Sequence, residues 1–223
     1  MYILVDNKQQ VKPYRDECWS ILYKAQKKLR QNEDITMDVN LVGSGSKKIV
    51  TKNGDDGTFD LDFNLILHRI PRKYKRDLLL LKRTIRQEID NVVNSYNYSH
   101  GKDSTSVITY VKHDKQGKPV FHFDVGLIYA DKATGNYERL VYEDSSKTIL
   151  TWNEVFSSKK LNRRAKKIRQ QGKFNKVKQR YVELKNQALS RQENTASYSL
   201  YAQAVNDVWQ TIIWKENNYV KVQ

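Results

Sequence analysis

Two aspartates spaced two residues apart lie in the segment Phe59-Asp60-Leu61-Asp62-Phe63-Asn64-Leu65-Ile66-Leu67. Its apolar alternation and its composition predict a strand. Side chains at i and i+2 of a strand leave the same face. Asp60 and Asp62 therefore emerge together, while Leu61 and Phe63 turn toward a core. Two carboxylates held that close either raise a pKa or recruit a cation. Magnesium prefers oxygen ligands and takes one or two carboxylates, completed by water and phosphate oxygens. A third acid, Asp124, lies in Val120-Phe121-His122-Phe123-Asp124-Val125-Gly126-Leu127-Ile128. There Phe121, Phe123, Val125 and Leu127 share the core face, and His122, Asp124 and Gly126 share the other. If the two strands are neighbours, three carboxylates converge. Such a set can bridge two divalent ions about 4 Å apart for in-line displacement at phosphorus.

A second feature is Val42-Gly43-Ser44-Gly45-Ser46-Lys47-Lys48. It follows a predicted strand and opens a helix or a tight turn. Small residues let backbone N–H groups approach phosphate oxygens, and a helix start favours anions. The hydroxyl of Ser44 or of Ser46 can donate to a terminal phosphate, and Lys47 and Lys48 add positive charge. The Gly-x-x-x-x-Gly-Lys-Ser/Thr spacing of a Walker loop is absent. His122 shares the face of Asp124 and reads first as a partly buried histidine bonded to its neighbours. Asn64 shares the face of Asp60 and Asp62 and reads as structural. His68, His100 and His113 have no metal-ligand spacing.

The elements that must position these residues follow from periodicity. Tyr14, Cys18, Ile21, Leu22, Ala25 and Leu29 predict an amphipathic helix over 13–30. Met37, Val39 and Leu41 alternate with Asp38 and Asn40 as a half-buried strand. Leu78, Leu81, Ile85, Ile89 and Val92 predict one long helix over 73–95. Strands are expected over 105–112 and 119–129, joined as a hairpin through Asp114-Lys115-Gln116-Gly117. A turn at Thr134-Gly135-Asn136 precedes a short strand over 137–142. From about residue 150 the chain reads as helical. It carries a basic stretch over 159–185 and a last apolar helix over 196–214, with Tyr198, Tyr201, Trp209 and Trp214 on its buried face. The expected fold class is α+β: a mixed-sheet core over 1–148 with flanking helices, and a helical segment over 149–223.

A strand ending in Gly-Ser, a loop, Asp-x-Asp on a strand, then a later strand-borne Asp resembles the polymerase-β-like nucleotidyltransferase superfamily. The resemblance covers roughly residues 13–145, and cyclic-oligonucleotide synthases share its motifs. It implies that Gly43 and Ser44, with Gly45, Ser46 and Lys47 beside them, position an NTP such as ATP. Gly45-Ser46 offers a second register for the same pair. It further implies that Asp60, Asp62 and Asp124 are catalytic and bind Mg2+ or Mn2+. The implied reaction moves a nucleoside monophosphate to an acceptor hydroxyl and releases pyrophosphate.

The bulk properties are compatible with that reading and with one competitor. The 223 residues carry a formal net charge of +15 and are 39% hydrophobic. That is enough apolar material for a core, with a positive field that attracts polyanions. NTPs, RNA, DNA and anionic membrane all satisfy the charge, and it leans toward an anionic acceptor such as a nucleotide or RNA. The competing reading is a non-catalytic nucleotide- or nucleic-acid-binding protein of the same fold. The lone Cys18 excludes an internal disulfide framework and a paired-cysteine zinc site. No apolar run approaches membrane-spanning length, and the apolar start is too short for a secretory signal. The expected compartment is the cytoplasm, with no membrane partner.

Overall fold

The computed structural model describes residues 1–131, 135–155 and 158–219, with side chains described as far as 213. The chain packs as two units, Val5–Phe156 and Met1–Leu4 with Ser157–Gln223. In chain order the strands are β1 (Tyr2–Leu4), β2 (Thr36–Leu41), β3 (Thr51–Asn53), β4 (Asp60–Arg69), β5 (Lys102–Asp103), β6 (Ile108–His113), β7 (Pro119–Ala130), β8 (Tyr137–Tyr142) and β9 (Leu150–Glu154). The α-helices are α1 (Lys12–Glu33), α2 (Gly43–Lys47), α3 (Arg72–Arg76), α4 (Leu78–Val93), α5 (Lys159–Gln170), α6 (Phe174–Ser190) and α7 (Ser197–Tyr219). Among the described residues no helix is long and apolar enough to cross a membrane.

The larger unit is built on a mixed sheet of order β2-β4-β7-β6-β5, extended by β8 on β7 and β9 on β8. β4 and β7 run parallel, and the other pairs in this sheet are antiparallel. The core lies on one face of the sheet. Leu61, Phe63, Phe121, Phe123 and Val125 are all buried there, together with Cys18, Ile21, Leu22, Ala25 and Leu29 of α1 and Leu81, Ile85 and Ile89 of α4. Aromatic contacts knit the layer. Tyr14 stacks on Phe121 with centroids 4.6 Å apart, and Tyr110 stacks on Phe123 at 4.8 Å. Rings buried this way contribute about 1.5–3 kcal/mol each through lost apolar surface. They fix the odd-numbered side inward, so that Asp60, Asp62, His122 and Asp124 must leave on the opposite face.

Two expectations change. The single helix over 73–95 is broken at Asp77, whose extended backbone (φ −134°, ψ 93°) lets its carboxylate accept from Leu80 N at 2.8 Å. Asp77 therefore caps α4 instead of continuing α3, as a short acidic side chain at a helix start favours. The helical character expected from about residue 150 begins later, because Leu150–Glu154 forms β9 on β8. Leu150-Thr151-Trp152 supplies the β-branched and aromatic side chains that suit a half-buried strand.

The β6–β7 hairpin forms as expected, with Asp114 N bonded to Lys118 O at 3.0 Å and Gly117 N to Asp114 O at 3.1 Å. Thr134 of the turn before β8 lies outside the described residues, while Gly135 N donates to Asp131 O at 2.8 Å.

The smaller unit contains α5, α6 and α7. Val177, Tyr181 and Leu184 of α6 and Tyr201, Ala204 and Val205 of α7 are buried in it. Asn186 ties in the N-terminus: Tyr2 N donates to its Oδ1 at 2.6 Å, and its Nδ2 donates to Tyr2 O at 3.0 Å. Tyr201 is buried as expected, whereas Tyr198, in the first turn of α7, is 52% exposed. The Trp214 side chain lies outside the described residues.

Candidate active site

Strand register places the acids. β4 and β7 pair with Asp62 opposite Asp124 and Asp60 opposite His122. Through these positions both strands alternate buried and more open residues, so the four side chains share the face away from the core. Thr109 of β6 is opposite Asp124 on the other side, and its Oγ1 donates to Asp124 Oδ1 at 2.5 Å. This hydroxyl holds the carboxylate in one orientation.

The Gly-Ser segment reaches the same face from β2. Val42 N donates to Asp62 O at 2.8 Å, which extends the β2–β4 pairing to the start of α2. Gly43 then adopts φ +59°, and a Cβ there would lie 2.0 Å from Asp62 Oδ2. No residue but glycine fits without moving the carboxylate. Gly45 turns the other way: a Cβ on it would meet Leu61 at 2.7 Å and Leu41 at 3.1 Å. Of the two Gly-Ser registers, then, Gly43 is the glycine against the acids and Gly45 packs on the core. Ser46 Oγ donates to Gly43 O at 3.0 Å, and Lys47 Nζ donates to the same oxygen at 2.9 Å.

Electrostatics match this crowding. Burial, and then the charges of Asp60 and Asp124, push the Asp62 pKa up to about 6 against the opposing pull of Lys47 and Arg139. Asp124 is also raised, by burial first and by Asp60, while the Thr109 hydrogen bond and His122 act the other way. Asp60 is exposed at the N-terminal end of β4. The three acids share a face without closing into a cage. Among the described residues no group of three or more His, Cys, Asp or Glu stands close enough to hold a metal ion. Mutual repulsion opposes closer approach of like charges. The set nonetheless fits magnesium or manganese. It is all oxygen, its central pair is in register on neighbouring strands, and magnesium needs only one or two carboxylates beside water and phosphate.

Arg139 belongs to this face and is not anticipated by the sequence motifs. Its Nη2 donates to Asn64 Oδ1 at 3.2 Å, and a Cβ on Gly126 would lie 2.8 Å from its Nη1. Burial lowers the pKa of Arg139, and Asp62 opposes the shift. The available signal was Gly126, since a glycine inside an apolar strand marks a close approach. Asn64 is the acceptor that orients the guanidinium.

Strand order, the Gly43 turn and the register of the acids are the features to compare with solved proteins. No family model matches the sequence, and neither does any curated protein. Among solved structures, Vibrio cholerae DncV in its 3'-deoxy GTP bound form aligns with a TM-score of 0.56 at 15% identity, covering 92% of this chain and 67% of that one. The chain has the nucleotidyltransferase fold of DncV. The DncV cyclic AMP-GMP synthase in complex with nonhydrolyzable GTP aligns at 0.53 and 16% identity, covering 77% of this chain and 45% of that one. The same synthase with the linear intermediate 5' pppA(3',5')pG aligns at 0.51 and 16%, covering 85% and 52%. This chain thus spans between 45% and 67% of the length of these neighbours.

Gly43 and Gly54 offer a paired test of the turn. Both have positive φ, but nothing lies within 4 Å of a Cβ on Gly54. Either alanine should cost about 1–2 kcal/mol in backbone strain. Only Gly43→Ala should also weaken magnesium-nucleotide binding, by roughly tenfold, a loss of about 1.4 kcal/mol. Calorimetric titration of both variants checks this; equal affinities would remove Gly43 from the site.

Proposed function

We propose that this chain is a metal-dependent nucleotidyltransferase that moves a nucleoside monophosphate from an NTP to an acceptor hydroxyl and releases pyrophosphate. The observation that carries this reading is the register of Asp62 with Asp124, beside position 43 where only glycine clears the Asp62 carboxylate. A bound magnesium or manganese would neutralise triphosphate charge and polarise the reacting phosphoryl group. Asp62 and Asp124, in register on neighbouring strands, would hold it, with Asp60 beside them on the same face. Gly43, Ser44 and Lys47 receive the triphosphate. Ser44 is the serine of choice, because the Ser46 hydroxyl is engaged with Gly43 O. The acceptor oxygen attacks the α-phosphorus, the bond to the β-phosphate oxygen breaks, and pyrophosphate leaves with the electron pair. Asp124, oriented by Thr109, takes the hydroxyl proton. Arg139 stands over Gly126 as a fixed cation near Asp62.

A nucleotide is the acceptor that the likeness to DncV supports, since one of its solved forms holds a linear dinucleotide intermediate. The test is incubation with each α-labelled NTP, singly and in pairs, with magnesium or manganese. Pyrophosphate and a labelled oligonucleotide should form and stop on chelation. Nucleotide binding without pyrophosphate under every pairing would leave the chain a binding protein.

A further inference from the structure

Charge is unevenly divided along this chain. Residues 157–223 hold fifteen Lys and Arg against four Asp and Glu. Helix α5 concentrates it further: Lys159, Lys160, Arg163, Arg164, Lys166, Lys167 and Arg169 stand in twelve residues without one acid. Like charges at i,i+4, such as Lys159 with Arg163 and Arg163 with Lys167, destabilise a helix. No acid on α5 offsets that cost. The side chains of Lys159, Lys160, Arg163 and Lys166 form no hydrogen bond or ion pair among the described residues.

Beside these cations lies an open groove of about 370 Å³ between α5 and α7, lined by Lys159, Lys160, Arg164, Tyr198 and Asn206. Two of its members are held in place. Arg164 Nη1 donates to Asn206 Oδ1 at 2.6 Å, and the Tyr198 hydroxyl shares a hydrogen bond with Ser158 Oγ. Tyr198 thus presents a tethered ring that is 52% exposed next to unpaired cations.

We infer that this groove binds single-stranded nucleic acid. Lys159, Lys160 and Arg163 meet phosphates, and a base stacks on the Tyr198 ring. Cations that track a backbone beside a stacking aromatic are what a single strand needs, and a duplex keeps its bases stacked on one another. An anionic membrane suits the surface less well. Interfacial helices insert an apolar face, and the buried residues of α5, Ala165 and Ile168, belong to the core of their own unit. The groove is built by the smaller unit and the acids of β4 and β7 by the larger one, so the inference does not depend on the function assigned to the acids.

The experiment is fluorescence anisotropy of the full chain with a labelled mixed-sequence 20-nucleotide RNA and the matching duplex, over a salt series. The single strand should bind more tightly than the duplex. Combining Lys159→Glu, Lys160→Glu and Arg163→Glu should weaken binding at least tenfold and reduce the log–log salt slope by about two. Tyr198→Ala should cost roughly tenfold, whereas Tyr198→Phe, which keeps the ring, should cost no more than about twofold. Three results would each overturn the inference: no RNA binding, a Tyr198→Ala variant that binds like wild type, or preferential binding to phosphatidylserine vesicles lost in the triple variant. Pyrophosphate release with no RNA binding would refute the groove alone and leave the nucleotidyltransferase reading intact.

Discussion

Asp62→Asn should raise the melting temperature of the metal-free protein at pH 8. Asp62 titrates at about 6 in the folded chain, above the ordinary 3.8. The folded state therefore binds this proton more tightly than the unfolded state does. The stabilisation that goes with it is complete below about pH 4 and is lost as the pH rises through 6. A rise of that size corresponds to about 3 kcal/mol, or roughly 6–12 °C for a domain of this size. Asparagine keeps the shape and removes the charge, so the gain should be present at pH 8 and absent at pH 4. Magnesium should narrow the gap, because a ligand that binds only the folded state stabilises the wild type by mass action. Identical melting curves at pH 8 would show that Asp62 is neither desolvated by burial nor crowded by Asp60 and Asp124.

The second large effect is on turnover. Asp124→Asn leaves a side chain to which Thr109 can still donate, and the core side of β7 is unchanged, so the fold should survive. What disappears is one charge of the face proposed to hold the metal and the proposed acceptor for the hydroxyl proton. Pyrophosphate release should fall on the order of 10³-fold. Thr109→Val, which removes only the 2.5 Å hydrogen bond to Asp124, should cost about tenfold. An Asp124→Asn variant that turns over like wild type would move the chemistry elsewhere.

The parts of this site that were legible in the sequence are those set by local periodicity. A period of two puts Asp60 with Asp62 and turns Leu61 and Phe63 inward, and the same period isolates Asp124 from Phe123 and Val125. The left-handed turn before the acids was signalled by Gly43. Pairing between distant strands was not legible. That β7 lies parallel to β4 with Asp124 opposite Asp62 follows from packing over α1 and α4, and no local pattern encodes it. Gly126 signals a close approach, but not that Arg139 makes it, since the place of Arg139 depends on β8 pairing with the far end of β7. Lys82 shows how packing overrides pattern: a cation on α4 is buried 3.2 Å from Asp103 of β5. Tyr198 departs from the buried face that helical spacing predicts, because a first-turn residue lies where that face begins to lose its cover.

Diffraction from crystals soaked with manganese and a non-hydrolysable NTP decides whether the acids of β4 and β7 hold the metal. An anomalous manganese peak should appear bonded at about 2 Å to carboxylate oxygens of Asp62 and Asp124, with the triphosphate against Gly43 and Ser44. A nucleotide bound with no metal at these acids, or a triphosphate seated away from the Gly43 turn, would refute the assignment.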